Sequence, residues 1–322
     1  MTNMEPITYP SEVFSRLVPD LYLHRHLNQG LRPATNRAFT QHRKINHFLG
    51  GLKKPVGSDE KSASLVWGSS LIQADGMSIV CGVTGSVSEE EGGIFVNVEV
   101  LRGANGSSAA MGGPPSDEEQ VVSRKTTDLL KKGIFSCKAN KQFFELQNFL
   151  KEGQEDEAVF DAGQHQKRYL CLHANVTVLS RNGPVQDYVW AAVLAALKDT
   201  EIPLMEIDED TGRITLTHDF TTIPVDDLDI HSSRSFGFIK PKPETDAYED
   251  DEMDTSEDAA SVLLADVQGE VEQAATSSTR EGSRLQIVRG REDTLIGFSF
   301  VGKGTGVGLN EIKNALDLSK QE

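Results

Sequence analysis

The sequence predicts an α+β fold built in two halves, and three observations predict it. Alternating apolar runs come in groups, first between residues 65 and 101 and again beyond residue 213, the period-2 signature of half-buried strands. A helical segment with an apolar face follows each group, which is the layering of an α+β domain made twice. One of these segments, QDYVWAAVLAALK at 186–198, is apolar almost all round, so it belongs between layers and not on a surface.

The elements follow in order. Residues 11–29 read as a helix, with Ser11 as N-cap and Val13, Phe14, Leu17, Val18 and Leu21 at helical spacing. Pro19 divides or kinks it, because proline removes a helical hydrogen bond and crowds the preceding turn. A polar, basic run, GLRPATNRAFTQHRKINHF, leads to Gly50-Gly51. SASLVWGSSLIQADGMSIVCGVTGSV then reads as strand–turn–strand, turning at Ala74-Asp75-Gly76, with Met77, Ile79, Cys81 and Val83 alternating afterwards. IFVNVEVL, 94–101, is a third strand. Residues 103–115 form a Gly/Ser/Ala/Pro loop with no Lys or Arg. A helix begins near Ser116, where Ser116 and Glu119 fit a capping box and Val121, Val122, Leu129 and Leu130 give the apolar face. Residues 139–165 mix short helix with acidic loop. Tyr169–Ser180 alternates, placing Leu170, Leu172, Ala174, Val176 and Val178 on one side. In the second half RITLTHDFTTIPV, RSFGFI, SVLLADV, SRLQIVRG and DTLIGFSFVG read as strands, and a helix over about 309–318 closes the chain. The organisation expected is an N-terminal helical segment (1–29), a first half (30–203) and a second half (204–322).

Composition narrows the function classes. The chain of 322 residues is 38% apolar, enough for a packed core, and no stretch approaches the roughly 20 apolar residues of a membrane helix. Cys81, Cys137 and Cys171 are odd in number and far apart, which fits a reducing compartment better than a disulfide frame or zinc site. A net charge of −17 repels nucleic acid if spread evenly. It is not: residues 243–258, PETDAYEDDEMDTSED, carry nine acids and no base, and read as a solvated insertion. The stretch 24–54 is basic instead. Within it Arg32, Arg37, Arg43 and Lys44 are candidate RNA contacts, since Phe39 and Phe48 interleave the basic run; the bland alternative is a solvated face. His24, His26, His42 and His47 match no metal-ligand spacing. GFSFVGKG, 297–304, nearly spells a phosphate-binding loop but ends on Gly304 where a hydroxyl is needed, so a strand with a glycine turn is preferred.

The stretch VLSRNGPVQDYVWAAVLAALKDTEIP, 178–203, is a strand-to-helix corner. Such corners bind phosphate through unpartnered helical N–H groups, yet Val185 and Gln186 stand where a hydroxyl and a cation belong. Asn182-Gly183-Pro184 makes the turn, and Asp187 in the first helical turn favours the helix dipole by about 0.3–1 kcal/mol.

This corner resembles that of the RNase PH-type phosphorolytic exoribonucleases, and more closely that of their exosome-ring relatives. GLRPATNR resembles the family's Arg-Pro-Asp-Gly-Arg motif, and GSSLIQADGMSIVCGV is similar to its Gly-Ser…Thr-x-Val-x-Cys-Gly-Val hairpin. GGPPSDEEQVVSR and LLADVQGEVEQAATSS look like the helix start and strand end of a non-catalytic ring subunit. The likeness runs in order across about residues 12–310. It implies an RNase PH-like fold of two α+β halves with mixed sheets and packed helices. Six such domains form a ring around an RNA-sized channel. The resemblance further implies other RNase PH-like subunits, RNA-binding cap subunits and channel RNA as partners, no cofactor, and a place in nucleus, nucleolus and cytoplasm.

The departures from the family pattern matter more than the matches. Active members place Thr-Arg on phosphate, where this chain has Val185 and Gln186; the family's Asp before the glycines is Asn182, beside Gly183. The two carboxylates of active members correspond to Asp266 and Glu272. Phosphorolysis needs inorganic phosphate held in line by charged donors, and losing one preorganised donor costs about 10²–10³ in rate. The resemblance therefore implies a non-catalytic subunit supporting 3'–5' RNA processing by a nuclease bound elsewhere. The rival readings are a divergent Mg²⁺-dependent phosphorolytic exoribonuclease using Asp266 and Glu272, and an acidic-loop adaptor in ribosome assembly.

Overall fold

A computed structural model of the chain describes residues 9–35, 37–53, 65–104, 114–134, 143–151, 168–207, 213–223, 230–240, 261–277, 282–290, 294–302 and 307–320. The acidic insertion at 243–258 and most of the 103–115 loop lie outside them. Sheet one has the order β1 (Asn46–Leu49), β2 (Gly68–Ala74), β3 (Met77–Ser88), β5 (Tyr169–Ser180), β4 (Gly93–Val100). Its pairings are antiparallel except β4 with β5, which run parallel. Sheet two is antiparallel, in the order β11 (Leu295–Gly302), β10 (Ser283–Gly290), β8 (Ile230–Ile239), β9 (Val262–Ala265). A two-stranded ribbon, β6 (Glu201–Ile207) with β7 (Ile214–Thr222), stands apart from both. The helices are α1 (Ser11–Leu17), α2 (Pro19–Asn28), α3 (Asp117–Ile134), α4 (Gln186–Lys198), α5 (Gly269–Ala275) and α6 (Leu309–Leu318). The mixed α+β architecture expected from the sequence is the one found.

Helix α4 is the hinge of the packing. It lies on β2, β3 and β5 of sheet one and touches β8 of sheet two, so nearly every direction around it meets protein. That explains its apolar circumference: Val189, Trp190, Ala192, Val193, Ala196 and Leu197 are all buried. Close approach is set by Gly68, where an added Cβ would lie 2.7 Å from the Ala196 carbonyl oxygen. Within this segment, expected to be enclosed all round, Leu194 is only partly buried; Leu197 is fully buried. Leu197→Ala is expected to cost about 2–5 kcal/mol, the range for a buried leucine, measured by urea unfolding; Leu194→Ala should cost clearly less.

Helix α3 seals the outer edge of β4. The Glu119 carboxylate accepts from Val100 N–H at 2.6 Å, Ser123 Oγ from Val98 N–H at 2.9 Å, and Thr127 Oγ1 from Val96 N–H at 3.1 Å. Four helical residues rise about 6 Å and two strand residues about 6.6 Å, so the two ladders stay in register. An edge that invites strand addition is thereby closed. Ser116 and Glu119 also form the expected reciprocal cap.

Several sequence readings need correction. Ser11 is the first residue of α1; Pro10 holds the N-cap position and no side chain caps it. Pro19 does divide the segment, opening α2 where its missing N–H is harmless. Val121 is exposed, leaving Val122 and Leu130 as the buried face of α3. Strands β1 and β6 were not read, because β1 is exposed at all four positions and β6 follows α4 with almost no loop. The 203/204 boundary passes through β6. Leu23 and Leu27 of α2 pack with Ile239 and Leu264 of sheet two, so the N-terminal segment is attached to the second half.

Candidate functional site

The corner between β5 and α4 is tied to three other segments. Gly183 has φ +121°, and a Cβ there would sit 2.4 Å from the Val267 carbonyl oxygen, so only glycine fits. Asn182 Oδ1 accepts from Gly269 N–H at 2.9 Å at the start of α5, and its Nδ2 donates to the Asp75 carbonyl at 3.4 Å. Val185 is buried in the main core. Gln186 donates to Thr126 Oγ1 at 2.9 Å, which commits one of its two neutral amide hydrogens. Asp187, expected to serve the helix dipole, instead accepts from Ser233 Oγ at 2.6 Å and Gln286 Nε2 at 3.3 Å. Burial pushes its carboxyl up, against the pull of the Ser233 and Ser235 hydroxyls. It bridges α4 to sheet two.

Asp266 and Glu272, the two carboxylates, lie beside the corner, and both are occupied by arginines. Asp266 directly follows β9 in a left-handed conformation, φ 51°, and is buried. Arg43 grips it as a fork, Nε to Oδ2 and Nη2 to Oδ1, each at 2.7 Å, and the Arg43 N–H adds a third bond at 3.0 Å. Arg37 Nη1 donates at 3.1 Å and Tyr188 Oη at 2.9 Å. Burial alone would raise this carboxyl, but the hydrogen bonds and charge of Arg43, with Arg37, hold it below the usual range. Glu272 takes Arg32 Nη2 at 2.6 Å and Nε at 3.1 Å, plus the Gln268 N–H at 2.9 Å.

The basic segment therefore turns inward. Arg32 and Arg43, read as RNA contacts, are 3% and 5% exposed, and Arg37 is engaged by Asp266 and by Gln268 Oε1 at 2.7 Å. The reason is energetic: buried carboxylates must be paired, and these guanidiniums pair them. Of the four residues, Lys44 alone stays on the surface. The sequence puts Val185 and Gln186 where a hydroxyl and a cation belong, yet two cations lie close to the corner. Arg43 Nη1 donates to the Asn182 carbonyl at 2.7 Å and Arg181 Nε to that of Gly183 at 3.0 Å. Arg181 also forks onto Glu118 at 2.7 and 2.8 Å. Both are spent on protein acceptors. Chemically, the site is a network at the junction of the two sheets in which both carboxylates are paired with arginines. Tyr188 and these pairings were missed because Arg43 and Asp266 lie 223 residues apart, and no local pattern connects them.

His42 borders the network, edge-on to Phe236 with ring centroids 5.3 Å apart. Burial, then the nearby Arg234, pushes its pKa down to about 4, with Asp266 opposing. The folded state thus binds its proton more weakly than the unfolded chain does. Stability should hold above pH 6.5 and fall between pH 6.5 and 4, by roughly 3 kcal/mol from this group. His42→Gln should flatten that part of the pH–stability curve in chemical unfolding.

Comparison with known proteins bears on the family likeness and the fold. Residues 54–203 match the 3' exoribonuclease family, domain 1, of RNase PH type. Exosome complex component rrp43 of Schizosaccharomyces pombe (strain 972 / ATCC 24843) is 26% identical over 220 residues, covering 66% of this chain and 69% of that protein. Among solved structures, the Archaeoglobus fulgidus exosome with RNA bound to the active site aligns at TM-score 0.57 and 16% identity, over 95% of this chain and 94% of that one. An archaeal exosome core aligns at TM-score 0.53 and 15% identity, over 96% and 94%. At such identities these structures speak for the fold.

Proposed function

We propose that this chain, an RNase PH-like fold by sequence and structure, is a non-catalytic subunit of an exosome ring that supports 3'–5' RNA processing and degradation. One observation carries the non-catalytic part: Asp266 and Glu272 are each held by an arginine, and neither Val185 nor Gln186 offers phosphate a charged donor. A metal ion at Asp266 would have to displace Arg43 and Arg37, and a phosphate at the corner would meet Arg43 and Arg181 already engaged by protein acceptors. The relative in S. pombe supports the setting, since it is named an exosome complex component. The partners inferred are other RNase PH-like ring subunits, cap subunits with RNA-binding domains, and RNA passing through the ring, in nucleus, nucleolus and cytoplasm. No helix among the described residues is long and apolar enough to cross a membrane.

The enzyme reading keeps one observation: two carboxylates remain side by side, six residues apart in sequence. Native mass spectrometry of the tagged chain from cells tests the assembly part. Stoichiometric ring partners are the expected result. A monodisperse lone chain would sink this reading, and ribosome-assembly factors in place of ring subunits would favour the adaptor.

A further inference from the structure

The segment between α2 and β1, residues 29–45, crosses from one half of the fold to the other. At one end, Leu23 and Leu27 of α2 pack with Ile239 and Leu264 of sheet two. At the other, β1 joins β2 of sheet one, with Asn46 opposite Gln73. The described residues between them form neither helix nor strand. Their backbone meets the second half where Phe39 O accepts from Ala265 N–H at 2.7 Å and where Arg43 N–H donates to Asp266 Oδ2 at 3.0 Å. Side chains supply the rest. Arg32 donates to the Ala265 and Asp266 carbonyls, each at 2.9 Å, as well as to Glu272. Arg43 Nη1 reaches the Asp75 carbonyl of the β2–β3 turn at 3.2 Å and the Asn182 carbonyl of the corner at 2.7 Å. One irregular segment thus ties sheet two, the corner and the β2–β3 turn together through guanidiniums.

We propose that residues 19–45 are a strap that opens and closes as one unit, ahead of any unfolding of the two sheets. The three arginines converge on Asp266, Gln268 and Glu272. Freeing one of them while the others stay docked leaves buried charge unpaired, so they leave together. Closure is weak for the length of chain it orders. Desolvation offsets much of an ion pair's attraction, and the apolar part is a cluster of four buried residues. Helix α2, with ten residues, is marginal once undocked. Strands β3 and β5, by contrast, pair along their length and bury Ile79, Cys81, Val83, Leu172, Ala174 and Val176. Segments with few backbone hydrogen bonds and little apolar burial are the ones that open locally. Closure also waits for the far end of the chain. The seat of the strap lies between residues 239 and 275, so sheet one forms without it and the long loop closes afterwards. Closed, the strap withholds Arg32, Arg43, Asp266 and Glu272 from solvent, all 5% exposed or less. Open, it presents charges of both signs.

The test is hydrogen exchange of the full-length chain at low denaturant, resolved to single amides and corrected for intrinsic rates. The amides of 22–28, Arg43 and Ala265, the last bonded to Phe39 of the strap, should share one rate. That rate should be at least about ten-fold faster than the rates of β3 and β5. Arg43→Gln should raise the shared rate by about ten-fold or more and leave β3 and β5 unchanged. Leu27→Ala, at the other end of the strap, should act on the same amides, including Arg43 and Ala265. If Arg43→Gln fails to fold, the wild-type rates and Leu27→Ala decide by themselves. Strap amides that exchange as slowly as β3 and β5 overturn the proposal. So does a Leu27→Ala effect confined to α2, or one that speeds β3 and β5 equally.

Discussion

Asp266→Ala is expected to destabilise the chain by about 3–5 kcal/mol, the cost of removing one partner from a buried ion pair. The side chain accepts hydrogen bonds from Arg43, Arg37 and Tyr188, so its loss leaves two part-buried guanidiniums and a hydroxyl without their anionic partner. Asp266→Asn should recover little, because a neutral amide cannot offset Arg43 and offers one acceptor oxygen where the fork uses two. Chemical unfolding of both variants, with soluble yield, is the measurement. A loss under about 1 kcal/mol would mean that the network is not structural. The depressed carboxyl adds a sign. Its contribution is present above the unfolded pKa of about 4 and is lost as pH falls through the lower folded value. The wild type should therefore lose stability in acid more steeply than Asp266→Asn. A further consequence follows for activity assays: RNA decay measured with an Asp266 variant reports on folding before it reports on chemistry.

The purified chain should release no nucleoside diphosphates from a labelled single-stranded oligonucleotide, with or without Mg²⁺ and phosphate. Each missing preorganised donor is worth about 10²–10³ in rate, and both corner positions lack a charged one. The change Val185→Thr with Gln186→Arg should restore at most traces. Val185 is buried in the core, so a threonine hydroxyl there needs a partner it does not have. An arginine at 186 would give up the bond to Thr126 without creating a grip on RNA. Phosphate-dependent release that co-elutes with the chain over two unrelated columns would promote the enzyme reading.

Local chemistry in the sequence determined much of this protein. Strict alternation placed Leu170, Leu172, Ala174, Val176 and Val178 inside, and all five are buried. The Ser116 and Glu119 box, the Asp75-Gly76 turn and the closing helix at 309–318 came from residues within one or two turns of each other, where propensity and spacing decide. The all-round apolar helix announced that two layers meet on it, and they do. The likeness of the corner to RNase PH-type proteins carried the fold, and the types at 185 and 186 carried the loss of phosphate donors. Only the tertiary structure decided where the charges go. From sequence, Arg32, Arg37 and Arg43 formed a basic surface run, and Asp266 and Glu272 a pair awaiting a cation. Folding brings positions more than 220 residues apart into contact, and burial makes their pairing compulsory. The same holds for β1, unread because an exposed edge strand shows no alternation. Periodicity reports which side chains face a core; it carries no record of which buried charge will find which partner.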